Sequence, residues 1–247
     1  MSVARALEFL NRSEVFLASG SPRRRELFQR LNVPVLSHLA IPEAVENLDS
    51  TTFAGAKEYV TANVANKIIY ALKNMSNRQF DDRRTTDNLQ NVMQKKSVPD
   101  IVVAADTVVV DGKEILEKPK SSADNYRMIK QLSGKEHTVI TAVSFVLPPQ
   151  IAVSGGASSA NLDGDEKLDL AKLAHTFTVE TKIRLVAMDP DTISWYVNSG
   201  EGRDKAGGYA IQGMGAALTH SIQGCFYNVV GFPLNAFVTT LGECLGQ

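Results

Sequence analysis

With 247 residues, 44% of them hydrophobic, the chain can bury a proper core as one large domain or two small ones. Its 26 basic and 27 acidic residues, a formal net charge of −1, argue against a stable nucleic-acid or membrane partner but leave room for a local basic pocket. Cys225 and Cys244 lie outside any CxxC or Cys/His pattern, which excludes a disulfide scaffold and a zinc centre. No apolar run approaches the roughly 18 residues of a membrane helix and no secretory signal is evident, so a reducing, cytoplasmic setting is expected.

Strand and helix signals alternate, the pattern of an α/β protein with a mixed or largely parallel sheet. Residues 1–10 read as a short amphipathic start and Val15–Ala18 as an apolar strand. Ser21 is placed as a helix N-cap and Pro22 as the first helical residue, with Leu27, Phe28 and Leu31 facing inward. A second strand is expected over 33–39 and a long helix over 53–72, where Ala56, Val60, Val64, Ile68 and Ala71 share a face. From about 74 to 99 the pattern collapses into Asn, Gln, Asp, Arg and Lys, the composition of a surface insertion.

Residues 101–110 are almost all β-branched or small and predict a central strand, interrupted by Asp106 and Thr107. Asp111-Gly112 turns the chain into a short return through Glu114–Leu116. A helix over 121–132 follows, opened by a Ser121/Asp124 capping pair and stopped near Gly134, then a strand over 137–147. Residues 148–175, with a Ser-Gly-Gly-Ala-Ser-Ser run and an acidic patch at Asp163-Gly164-Asp165-Glu166, form a second insertion. Residues 177–187 alternate as a strand, and 190–198 form a helix between Asp189 and Gly200. Two strand-like segments and a helix begun by Pro233 complete one expected domain over 1–247, carrying insertions at about 74–99 and 148–175.

The most informative segment is Leu17-Ala-Ser-Gly-Ser-Pro-Arg-Arg-Arg, which loads three arginines into the first turn of a helix. A cation there forgoes about 0.3–1 kcal/mol that an acid would gain from the helix dipole. A bound anion reverses that balance; a solvated basic helix start is the alternative. Asp106 is the strongest catalytic or metal-ligand candidate, because a carboxylate in an apolar strand needs a metal, a cation or several donors. A strand-end aspartate bonded to backbone amides is the competing account. In a regular strand Thr107 points to the opposite face, so both reach one pocket only at a strand end or bulge.

Lys118, in Leu116-Glu-Lys-Pro, can grip a phosphate or be one more surface lysine. Lys67 sits at the border of the apolar stripe of the long helix, where lysines commonly snorkel. The run Gly200-Glu-Gly-Arg-Asp-Lys-Ala-Gly-Gly-Tyr-Ala-Ile-Gln-Gly213 concentrates glycines among charges, as where backbone approaches a ligand; a glycine-rich surface loop is the alternative. Its Gln212 offers a donor and an acceptor suited to a nucleobase edge.

Six ordered motifs, Leu17-Ala-Ser-Gly-Ser-Pro-Arg-Arg, Ala104-Ala-Asp-Thr-Val-Val, Leu116-Glu-Lys-Pro, Leu132-Ser-Gly-Lys, Asp204-Lys-Ala-Gly-Gly-Tyr-Ala-Ile-Gln-Gly and Val229-Val-Gly-Phe-Pro-Leu, resemble the Maf family of nucleoside triphosphate pyrophosphatases. The resemblance implies a Maf/inosine-triphosphatase-like α/β fold, a long mixed β-sheet flanked by helices with a cleft between two lobes. It also implies hydrolysis of a nucleoside triphosphate to the monophosphate and pyrophosphate with Mg²⁺ or Mn²⁺. Carried over by position, Asp106 is the base or metal ligand, Ser19, Arg23 and Arg24 hold phosphates, and Lys67, Lys118 and Gln212 line the pocket. Glu43 is the expected early acidic metal ligand, with Glu46 the alternative because the spacing is shifted, and Arg25 falls outside the pattern. Arg23, Thr107 and Gln212 match the branch resembling dTTP/UTP pyrophosphatases rather than the 7-methyl-GTP branch. A non-hydrolysing nucleotide-binding regulator of cell division is the second functional reading, and a homodimer is compatible with either.

Overall fold

A computed structural model of the chain describes residues 3–33, 35–38, 41–42, 45, 48–76, 99–147 and 174–246. Most of the two expected insertions, residues 77–98 and 148–173, lies outside the described residues, as do Glu43 and Glu46. In chain order the elements are α1 (Val3–Arg12), β1 (Val15–Ala18), α2 (Pro22–Arg30), β2 (Val35–His38) and α3 (Ala56–Ser76). Then come β3 (Ile101–Asp111), β4 (Glu114–Leu116), α4 (Ser122–Leu132), β5 (Glu136–Val146) and β6 (His175–Leu185). The chain ends with α5 (Pro190–Ser199), β7 (Thr219–Gln223), α6 (Phe226–Val230) and α7 (Leu234–Cys244). No described helix is long and apolar enough to cross a membrane.

The seven strands form one mixed sheet in the order β2-β1-β3-β5-β6-β7, with β4 added to β3. β1 runs parallel to β2 and β3, and every other pairing is antiparallel. The apolar run of β3 buries both faces, which is why it reads as continuous rather than alternating. On one face Val102, Ala104 and Val108 pack with Val60, Val64 and Ile68 of α3. On the other, Val103, Ala105 and Val109 join the larger core with Leu27 and Phe28 of α2, Ile129 of α4 and Phe237 of α7. Phe28, Phe232 and Phe237 meet there with ring centroids 5.0–5.7 Å apart, each fully buried ring contributing about 1.5–3 kcal/mol.

Helix α3 starts three residues later than its apolar pattern suggests. Asp49 instead caps a short 3₁₀ turn, accepting from the backbone N–H of Thr51 at 2.9 Å. The tail holds one strand, β7, and the short helix α6 where a second strand was expected; Gly231, at φ 116°, closes that helix. Ser121 and Asp189 cap their helices as their spacing predicts, accepting from Asp124 N at 3.1 Å and Thr192 N at 2.7 Å. Ser21 holds the N-cap backbone conformation of α2, but its hydroxyl makes no cap bond.

Candidate active site

The site arises from a gap in strand pairing. β1 covers one edge of β3 over Ile101–Ala104 and stops at Ala18, and β4 covers the same edge only from Val109 onward. Between them β3 keeps β5 as its neighbour on the opposite edge and leaves this edge uncovered. A cleft of about 420 Å³ opens here, at the carboxyl end of parallel β1, where α/β sheets commonly bind ligands. Asp106 and Thr107 both line it although the pairing of β3 with β5 is regular, because the gap exposes both faces of β3. Neither a bulge nor a strand end is needed.

On the α3 face the sequence places Tyr59, Asn63 and Lys67 at four-residue steps, one polar stripe beside the apolar one. Lys67 Nζ donates to Asp106 Oδ1 at 2.7 Å, with its side chain 3% exposed. It is an internal counter-ion rather than a snorkelling lysine. Asn63 Nδ2 donates to Asp106 Oδ2 at 3.1 Å, so each carboxylate oxygen has its own donor. One helical turn away, the Tyr59 hydroxyl donates to Glu117, and burial together with that carboxylate pushes the phenol pKa well up.

The opposite face is built around Arg24, which is buried. Its guanidinium donates to Ser19 Oγ at 3.1 Å, to Thr107 Oγ1 at 3.1 Å and to the Gly231 carbonyl at 2.9 Å. Arg24 therefore ties the turn after β1, strand β3 and the turn after α6 into one wall. Thr107 Oγ1 also lies 3.0 Å from Thr141 Oγ1, which donates to the Asn228 carbonyl at 3.1 Å. Arg23 lines the cleft beside Arg24, whereas Arg25 is not among the lining residues. Burial pulls the Arg23 guanidinium below its ordinary value, opposed by the charge of Asp204. Burial works against the charge of Asp204 in turn, but Lys205 and Arg23 hold that carboxyl below its usual range.

Ser19, Lys118, Lys120 and Lys205 complete the polar wall. The glycine-rich loop reaches it because Asn125 Nδ2 holds the Gly208 carbonyl at 2.7 Å and Gly207 N donates to the Glu117 carbonyl at 3.1 Å. Gln212 does not line this cleft; its neighbour Ile211 does. Asn63, Tyr59, Asp204 and Lys205 were not singled out from the sequence, although the four-residue spacing along α3 carried a signal for the first two.

A family profile described as Maf-like protein matches residues 14–244. The chain belongs to the Maf family. Among its curated relatives, the "Probable bifunctional dTTP/UTP pyrophosphatase/methyltransferase protein" of Homo sapiens is 36% identical over 227 residues, 92% of this chain and 31% of that protein. The chain thus spans about a third of the human relative's length. The "dTTP/UTP pyrophosphatase" of Schizosaccharomyces pombe is 32% identical over 241 residues, 96% of this chain and 86% of the relative. That of Pyrococcus furiosus is 35% identical over 221 residues, 90% of each chain. Every described residue of this Maf cleft falls within the matched stretch, whereas α1 precedes it.

Among the described residues no three His, Cys, Asp or Glu side chains converge into a ready-made metal cluster. Mg²⁺ seldom needs one, since it takes one or two carboxylates and completes its shell with waters and substrate phosphates. The donor chemistry fits that pattern. Asp106 and Glu117 supply hard carboxylate oxygens in one cleft, and the buried amide oxygen of Asn63, beside Asp106, has no hydrogen-bond partner.

Proposed function

We propose that this chain is a nucleoside triphosphate pyrophosphatase that hydrolyses dTTP and UTP to the monophosphate and pyrophosphate with Mg²⁺ or Mn²⁺. One observation carries the reading: Asp106, held on both oxygens by Lys67 and Asn63, shares a cleft with a wall containing Arg23, Lys118, Lys120 and Lys205. Cations along that wall would spread the triphosphate charge, as a transferring phosphoryl group requires. The relatives named as dTTP/UTP pyrophosphatases support the substrate class.

In this reading Arg23, Lys118 and Ser19 hold the phosphate chain, while Arg24 positions Ser19 and Thr107 by its bonds to both. Asp106 accepts a proton from water as the water oxygen bonds to the α-phosphorus. The bond from that phosphorus to the bridging oxygen breaks, and pyrophosphate leaves with the bridging oxygen. Lys67 holds the Asp106 carboxylate in orientation between turnovers. Asp106 and Glu117, joined by Glu43 on the family pattern, would hold the divalent cation. When bound, the cation supplies charge neutralisation and polarisation of the phosphate oxygens. Gln212 reads the base edge from outside the phosphate cleft.

The test is a pyrophosphate-release assay with dTTP, UTP, dCTP, ATP and GTP, with and without Mg²⁺. Pyrophosphate from dTTP and UTP in preference to the purines is expected. Tight nucleotide binding without product would replace the enzyme with a nucleotide-binding regulator.

A further inference from the structure

Gln212 occupies the N-cap of the 3₁₀ turn Gly213–Leu218, yet its side chain caps none of the backbone N–H groups there. That work is done from elsewhere in the chain. The Glu201 carboxylate, just past the end of α5, accepts from Met214 N at 2.9 Å through Oε1 and from Gly215 N at 2.8 Å through Oε2. Both are charge-assisted bonds to a helix-type N-terminus, where a carboxylate is favoured by geometry and dipole together.

A second brace stands immediately beside the first. The Tyr196 hydroxyl accepts from Ala210 N at 2.9 Å, and Tyr196 also interacts with Glu201. Tyr196 is fully buried, so its hydroxyl is fixed in place. Residues 210–215 are therefore pinned on both sides of Gln212, at Ala210 and at Met214-Gly215, by two side chains of one short segment.

The glycines of the turn fit the same arrangement. Gly213 sits at φ 65°, and a Cβ there would overlap the Glu201 carboxylate. A Cβ at Gly215 would overlap the Ala210 carbonyl and crowd the Tyr196 hydroxyl. The close approach of Glu201 thus favours glycine at 213, and the close approach of the Ala210 carbonyl requires it at 215.

We infer that Glu201 is a positioning residue for nucleobase discrimination: by capping the turn in place of Gln212, it fixes that residue's backbone and leaves the Gln212 amide to a pyrimidine edge. Glu201 touches no substrate in this scheme and acts through Gln212. The inference rests on the reading of the chain as a pyrimidine triphosphate pyrophosphatase, and it separates base recognition from the phosphate grip of the cleft.

The experiment compares wild type, Glu201→Gln and Glu201→Ala. It measures turnover of dTTP and GTP, dTTP binding by calorimetry, and affinity for inorganic tripolyphosphate, which has no base; thermal unfolding checks the fold. Glu201→Ala is expected to raise KM for dTTP about tenfold with kcat within about threefold, and to lower the dTTP/GTP preference by a similar factor. Tripolyphosphate affinity should stay within about twofold of wild type. Glu201→Gln, which keeps an acceptor oxygen, should fall between the two.

A loss shared equally by dTTP, GTP and tripolyphosphate, with the fold intact, would overturn the inference, as would unchanged selectivity in Glu201→Ala. If that variant does not fold, Glu201→Gln decides by the same ratios. Wild type that binds dTTP without hydrolysing it defeats the proposed activity alone, and the ratio of dTTP to tripolyphosphate binding then decides the role of Glu201. Wild type that binds neither overturns both.

Discussion

Lys67 Nζ sits 2.7 Å from Asp106 Oδ1, an ion pair whose lysine is 3% exposed and whose aspartate is 17% exposed. Removing one partner leaves the other charge in a poorly solvated cleft, which costs more than the pair itself contributes. Lys67→Met should therefore destabilise the fold by about 2–3 kcal/mol in denaturant unfolding. The double variant Lys67→Met/Asp106→Asn should recover part of that loss, because no lone charge remains. Additive losses in the cycle would mean that the two side chains are energetically independent.

Arg24→Lys keeps the charge but cannot reproduce a planar fork bonded at once to Ser19, Thr107 and the Gly231 carbonyl. A stability loss of about 2–3 kcal/mol is expected, with KM for the triphosphate raised because the Ser19 turn is no longer tied to β3. Thr107→Val removes one of those bonds and should cost about 1 kcal/mol, less in the Arg24→Lys background than alone.

His137 gives a pH prediction remote from the proposed chemistry. Burial lowers its pKa from 6.5 to about 4, only partly offset by Asp111 and Glu136, and its Nε2 lies in hydrogen-bond contact with the Tyr209 hydroxyl at 2.6 Å. The unfolded chain binds a proton near pH 6.5 and the folded chain only near pH 4. The stabilising effect of a neutral His137 is thus complete above about 6.5 and is lost as pH falls through that window. The change approaches about 3 kcal/mol. Unfolding free energies of wild type and His137→Gln between pH 4 and 7 should differ in slope by one proton; parallel curves would contradict the assignment.

Much of this was legible in the sequence, and the failures share a cause. β3 declared itself by composition, and Asp106 by interrupting an apolar run, because burial of a charge is a local anomaly visible without a fold. The shared pocket of Asp106 and Thr107 was not visible. It depends on where β1 ends and β4 begins along β3, a register set by partners far away in sequence. Lys67 looked like a snorkelling lysine because its counter-ion lies 39 residues away. Glu201 gave no sign, since its partners appear only when residues 213–215 fold back on the end of α5.

Gly207 sits at φ 69°, and an added Cβ would come within 2.8–3.0 Å of the Val109 side chain. Gly207→Ala should cost about 1–3 kcal/mol in thermal or denaturant unfolding through backbone strain and crowding of β3. The same shift displaces Lys205 from the cleft, so KM should rise while the metal requirement stays unchanged.

The central claim is that Asp106 carries the chemistry of a triphosphate cleft, and Asp106→Asn tests it with almost no change in shape. Pyrophosphate release from dTTP should fall at least about 100-fold in a protein that still folds and still binds tripolyphosphate, at a stability cost of about 2–3 kcal/mol from the unpaired Lys67. A folded Asp106→Asn protein that kept most of its dTTP turnover would contradict the account.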